Sequence, residues 1–374
     1  NESQTASPSA QALYSSALSS YKKGNYAEAY SLYTQAADLG HSGAQNNLGL
    51  MYMNGEGVAQ NYSSAKQWFT ASAEQGDRYG QLNMGKVYYH GLGVSIDSSL
   101  AHQYFVASAD QDHATAQNYV GVLYEEGNGV TKDDDNAISW YRRAADNGSS
   151  HAQYNLGRAY QYGISVVADD SKAYEWYEKA SADKHKLAYY KLAQFNINGS
   201  GVSQSLSNRQ YYLIKSAEQG YSEAQLELGK YYQTGKLNNQ DYGVVDYALA
   251  RQWYSKAAKQ GSIGAKNQLA GMYIYGQGGS KDYSLAHSLM LENAKKNNIT
   301  SQLNLAEFYK LGHLSPPNLT QALHWYQEAE KLCDLKNPLP EYCAEVHVSL
   351  GDMYEKGLGL DYSYTDAKSY YDKA

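Results

Sequence analysis

The chain has 374 residues, 43% of them hydrophobic, and 31 Lys plus Arg against 38 Asp plus Glu give a net charge of -7. With a mean hydropathy of -0.66, no run of about twenty apolar residues and no basic block, it offers neither a membrane span nor the electrostatic footprint of a nucleic-acid binder. Its oddity is aromatic: 40 Tyr and 5 Trp stand beside 4 Phe, a bias that points to one tyrosine position used many times.

The opening residues 1–10 read as a flexible polar lead, as expected after a removed signal peptide or a trimmed end. Residues 11–40 then carry Tyr21, Gly24, Ala29, Tyr33, Ala36, Ala37 and Gly40 in phase with all that follows, as one helix pair. Only eleven residues separate Tyr21 from Leu32, against sixteen from Tyr52 to Trp68, a connection as short as in a tetratricopeptide. The pair is expected to cap the array that begins at residue 41.

From there a 36-residue period runs through Gly49, Gly85, Gly121, Gly157, Ala193 and Gly229, and continues with steps of 41, 36 and 45 to Ala270, Ala306 and Gly351. That makes nine units. Three residues after the small one stands Tyr52, Tyr88, Tyr124, Tyr160, Asn196, Tyr232, Tyr273, Tyr309 or Tyr354, and next comes a Gly-x-Gly turn such as Gly127 and Gly129; units four, six and eight keep its first glycine only. A second aromatic position follows, and all five tryptophans, Trp68, Trp140, Trp176, Trp253 and Trp325, fall on it.

Within a unit the spacing is helical: Ala152, Leu156 and Tyr160, and again Ala173, Trp176 and Ala180, lie three or four apart on one face. The first glycine of each turn suits a helix C-cap, and Asp134, Asp135 and Asp170 suit the start of the second helix. Tyr and Trp are expected to fill the space between units, so that Trp140→Ala costs about 3 to 5 kcal/mol. A lone helix pair buries too little to be stable, so consecutive pairs must stack into a solenoid.

The stretches AQNNLGLMYMNGEGV, AQNYVGVLYEEGNGV with NAISWYRRAADNG, and AQYNLGRAYQYG with SKAYEWYEKAS closely resemble the Sel-one-like repeat (SLR) family of the tetratricopeptide-like superfamily. The resemblance covers residues 41–374. It implies an all-α fold, a right-handed α-solenoid of about ten stacked antiparallel helix pairs, with nine repeats forming one continuous body and the first helices lining its concave surface. It also implies an adaptor or scaffold for other proteins, in bacterial envelope and host-interaction roles or in eukaryotic signalling and endoplasmic-reticulum quality control.

No catalytic, cofactor-binding or metal-binding residues are nominated, and the chain reads as a non-enzyme. The Gly-x-Gly turns follow helices rather than strands and lack the third glycine or Gly-Lys-Ser of a phosphate loop. Asp133, Asp134 and Asp135 lack the glycine and distal glutamate of a calcium loop and read as a turn and helix cap. Cys333 and Cys343 are either two free thiols or a bridge adding about 2 to 3 kcal/mol, and a bridge favours an exported protein.

By tetratricopeptide analogy, the position two before the small residue faces the concave groove. There stand Asn47, Asn83, Tyr119, Asn155 and Asn304, with Lys86, Arg158 and Lys230 one position after the glycine. Asparagine amides suit the backbone of an extended peptide or helix, and the cations suit acidic side chains or a C-terminal carboxylate. The competing role for the asparagines is to bond neighbouring helices; alanine at Asn83 and Asn155 then lowers the melting temperature, whereas the groove role leaves it unchanged. The expected function is a protein-interaction scaffold, periplasmic or secreted, with a eukaryotic lumenal or cytoplasmic site as the alternative. The alternative function is a glycan-binding envelope module in which Tyr89, Tyr162 and Tyr275 stack on sugars.

Overall fold

The computed structural model describes residues 9–374 apart from 238, 239, 242, 244, 315 and 337–339, so most of the polar lead expected over residues 1–10 lies outside the described residues. Two compact units divide the chain, Asn1–Gln204 and Ser205–Ala374. The first holds α1 (Ala10–Lys22), α2 (Tyr26–Asp38), α3 (Ser42–Asn54), α4 (Tyr62–Glu74), α5 (Arg78–His90), α6 (Ser98–Ala109), α7 (Ala114–Glu126), α8 (Asp134–Asp146), α9 (Ser150–Tyr162), α10 (Asp170–Ala182) and α11 (Lys186–Asn198). The second holds α12 (Leu206–Glu218), α13 (Ser222–Thr234), α14 (Tyr247–Lys259), α15 (Ile263–Tyr275), α16 (Tyr283–Ala294), α17 (Ile299–Leu311), α18 (Leu319–Lys336), α19 (Pro340–Lys356) and α20 (Tyr364–Lys373). A two-residue antiparallel pair, Lys236–Leu237 with Gln240–Asp241, occupies the insertion between α13 and α14.

Within each unit the helices pack on their chain neighbours as tandem pairs, the α-solenoid arrangement that the repeat period requires. Residues 23–25 alone join α1 to α2, whereas residues 55–61 join α3 to α4. First helices also touch one another across repeats, α3 with α5, α7 with α9, α13 with α15 and α17 with α19, while no two second helices pack as closely among the described residues. The first helices therefore form the inner layer of each unit.

One turn shows how the sequence dictates the connection. Helix α7 ends as Gly127 takes φ +67° and bonds its N–H to the Leu123 carbonyl, a left-handed cap that glycine adopts without steric cost. Gly129 has a second duty: a Cβ there would lie 2.3 Å from the Ser98 carbonyl carbon at the start of α6, in the preceding pair. That glycine sets the approach between repeats. Asp133 then caps α8, accepting from the Asn136 N–H at 2.9 Å, with Asp134 and Asp135 in the first turn behind it.

The small residue of each first helix makes room for a ring. A Cβ at Gly121 would stand 2.6 Å from Tyr141, and Gly49, Gly157 and Gly229 face Phe69, Tyr177 and Tyr254 at the same distance. These rings stand one residue after the expected aromatic column and form a second ring position beside it. Phe69, Phe105, Tyr141, Tyr177, Tyr254 and Tyr326 are fully buried, while on the expected column Trp253 and Trp325 are buried and Trp68, Trp140 and Trp176 are half-buried against the clusters of adjoining repeats. One residue along a helix is a turn of about 100°, enough to move a ring from core to edge. Trp140 carries the Arg143 guanidinium 5.3 Å from its ring centre.

Ring hydroxyls find acceptors four residues after the glycine: Tyr141 donates to Glu125 at 2.6 Å, Tyr177 to Gln161 at 2.8 Å and Tyr254 to Gln233 at 2.7 Å. Where the ring is Phe69 or Phe105, that position is Met53 or Tyr89. Buried Gln45, Gln117, Gln225 and Gln302 each donate to a carbonyl at the end of the preceding helix, at Ala37, Ala109, Ala217 and Ala294, satisfying groups that a helix terminus leaves open. Cys333 on α18 and Cys343 on α19 are joined as a disulfide with their Cα atoms 5.7 Å apart.

Candidate functional site

The residues expected to face a partner lie on first helices, six in the first unit and two in the second. Asn47 on α3 is half-buried and donates to the Tyr33 hydroxyl at 3.1 Å. Asn83 on α5 is buried and donates to Asn46 Oδ1 on α3 at 2.7 Å, and Asn155 on α9 donates to Asn118 Oδ1 on α7 at 3.1 Å. Buried amides must be paired. Asn83 and Asn155 thus join α3 to α5 and α7 to α9, a packing engagement that their column in the sequence left as one of two roles.

Tyr119 on α7 lies flat on Phe105, ring centres 4.5 Å apart, and burial raises its pKa. Arg158 on α9 pairs with Glu125 at 2.9 Å and donates to Asn155 at 3.4 Å. Burial opposes its charge, yet Glu125 holds its pKa above the ordinary value. Asn118, Asn155, Arg158, Glu125 and the Tyr141 hydroxyl therefore form one network, of which Asn118, Glu125 and Tyr141 escaped the sequence reading. Their signal was positional: Glu125 stands four residues after Gly121, where Gln161 and Gln233 recur.

Lys86 on α5 differs from Arg158. It is half-buried, no carboxylate among the described residues lies within ion-pair distance of it, and burial lowers its pKa. In the second unit, Lys230 on α13 is exposed, and Asn304 on α17 is exposed and lines a cavity of about 140 Å³. Of the tyrosines expected to stack on sugars, Tyr162 and Tyr275 are 59% and 71% exposed, whereas Tyr89 packs on Phe105 and Tyr119. No described helix is long and apolar enough to cross a membrane.

Comparison with known proteins places this geometry. The Sel1 repeat family matches ten times, at residues 8–41, 42–77, 78–113, 114–149, 150–185, 186–221, 222–262, 264–298, 299–332 and 344–374. The chain is similar to the crystal structure of a protective antigen present in uropathogenic Escherichia coli strains that displays an SLR fold, with 29% identity, a TM-score of 0.59, and 97% of this chain and 83% of that one covered. It is also similar to a Sel1 repeat protein from Oxalobacter formigenes, with 29% identity, a TM-score of 0.59, and 66% and 96% covered.

Proposed function

Because the chain belongs to the Sel1 repeat family, whose members generally mediate protein–protein interaction, we propose that it is a non-enzymatic adaptor that holds a segment of a partner protein on its first-helix face. Lys86 is the observation that carries this reading. A half-buried ammonium without a carboxylate has lost hydration and gained no counter-charge. An acidic side chain or C-terminal carboxylate of a bound segment supplies it. Asn47 and Tyr119 extend the surface within the first unit, where Asn83, Asn155 and Arg158 fix the helices that present it, and Lys230 and Asn304 stand on first helices of the second unit.

The disulfide supports a periplasmic or secreted location, since such bonds persist in oxidising surroundings. Similarity to a protective antigen of a pathogen supports an envelope or host-facing role. The test is affinity capture from envelope and host extracts with the parent chain beside Lys86→Gln. We expect a protein retained by the parent to lose about tenfold or more in affinity for the variant, the loss of a charge-assisted bond, at an unchanged melting temperature. Equal retention by both would refute the assignment of this face.

A further inference from the structure

We propose that the cavity of the second unit is an anchor pocket for a bulky apolar side chain that neighbours a basic residue in the partner segment. The proposal rests on the adaptor reading and names what one part of the first-helix face selects. It starts from Gly271, at the ninth position of the thirteen in α15, in the column that Lys86, Arg158 and Lys230 hold in other repeats. Glycine inside a helix is destabilising unless something requires it. Every other helical glycine described meets that requirement, with a neighbouring atom within 3.3 Å of where a Cβ would stand, but nothing lies within 4 Å of a Cβ at Gly271. Packing does not explain this glycine; the space beside it does.

The cavity measures about 140 Å³ and is lined by Gly271, Ile274 and Tyr275 of α15, Met290 of α16 and Phe308 and Leu311 of α17, with Asn304 and Glu307 among its polar residues. Met290 stands where neighbouring repeats bury Tyr254 and Tyr326, so a flexible side chain replaces a ring there. Tyr275 and Leu311 are 71% and 58% exposed, large apolar groups that a monomer gains nothing by presenting together. An apolar cavity of about 150 Å³ holds a benzene-sized group, so this one suits the side chain of Leu or Phe. Glu307 is the carboxylate that lines it, beside His313, and α19, which contacts α17, adds Glu345, Asp352 and Glu355; the cations of α15, α17 and α19 are each paired, Lys266 with Glu292, Lys310 with Glu307 and Lys356 with Asp352. Charge complementarity therefore asks for Lys or Arg beside the apolar anchor.

The experiment exposes the immobilised full chain, as parent, Gly271→Leu or Tyr275→Ser, to a random library of N-acetylated, C-amidated hexapeptides. The parent should enrich peptides with Leu or Phe next to Lys or Arg. Gly271→Leu, which fills the cavity from a site with room for a side chain, should weaken them at least tenfold at a melting temperature no lower than the parent's. Tyr275→Ser, at the exposed mouth, should weaken the same peptides even if the leucine variant fails to fold. Peptides held equally by parent and variants would overturn the pocket, as would enrichment of acidic peptides alone. In either case loss of the enriched peptides from Lys86→Gln would leave the adaptor reading standing, whereas no enrichment by the parent would overturn both.

Discussion

At the scale of the residue, the chain is built on a contact between a glycine and a ring. Gly157→Ala puts a methyl group 2.6 Å from the Tyr177 ring, so we expect a loss of about 1 to 3 kcal/mol, read by urea denaturation, where helix propensity alone would give a gain. Tyr141→Phe removes the hydroxyl that donates to Glu125 and should cost about 1 kcal/mol, with Arg158 still paired. The glycine column was legible because it repeats at a fixed period. The second, fully buried ring was not, because Trp140 and Tyr141 both satisfy helical spacing with Ala137 and Ala144. The asparagines were legible as a column, but whether Asn83 faces a partner or Asn46 depends on how closely α3 and α5 approach, which no local pattern encodes.

Elements are fixed by their caps, and one cap titrates. His185 caps α11 with Nδ1 accepting from the Ala188 N–H at 3.3 Å, beneath the stacked Tyr154 ring at 4.9 Å and against the edge of His151 at 4.8 Å. Burial, then the charges of His151 and Lys186, lowers its pKa from 6.5 to about 4. A protonated Nδ1 cannot accept, so the cap requires the neutral ring. Between about pH 6.5 and 4 the unfolded chain binds a proton that the folded chain does not. Stability is then complete above that window, falls as pH drops through it by at most about 3 kcal/mol, and levels off below. His185→Asn keeps a cap acceptor that does not titrate. Its stability should change less between pH 7 and pH 4.5 than the parent's, with His102, His113 and His287, all lowered by burial, leaving a residual slope. An equal slope in both proteins would contradict the assignment. The helix pairs and first glycines were readable from composition at fixed offsets; the second glycine's contact with the preceding pair was not, since that contact spans about 30 residues.

For the molecule as a whole, stability in a repeat chain is a sum of local terms, so damage should stay local. The bridge between α18 and α19 closes a loop with a sequence separation of 10, and Cys343→Ser should cost about 2 to 3 kcal/mol. Hydrogen exchange should quicken in α17 to α20 and stay unchanged in α1 to α8. The functional reading is local in the same sense: it places a partner on first helices, not second ones. That claim is tested most directly by photocrosslinking in extract, with a benzophenone side chain in place of His90 on α5 or Leu311 on α17, both exposed on first helices, and in place of Gln67 on α4 or Glu175 on α10, both exposed on second helices. Covalent adducts to a common partner from the first-helix positions and none from the second are the predicted result; adducts from Gln67 or Glu175 alone would contradict it.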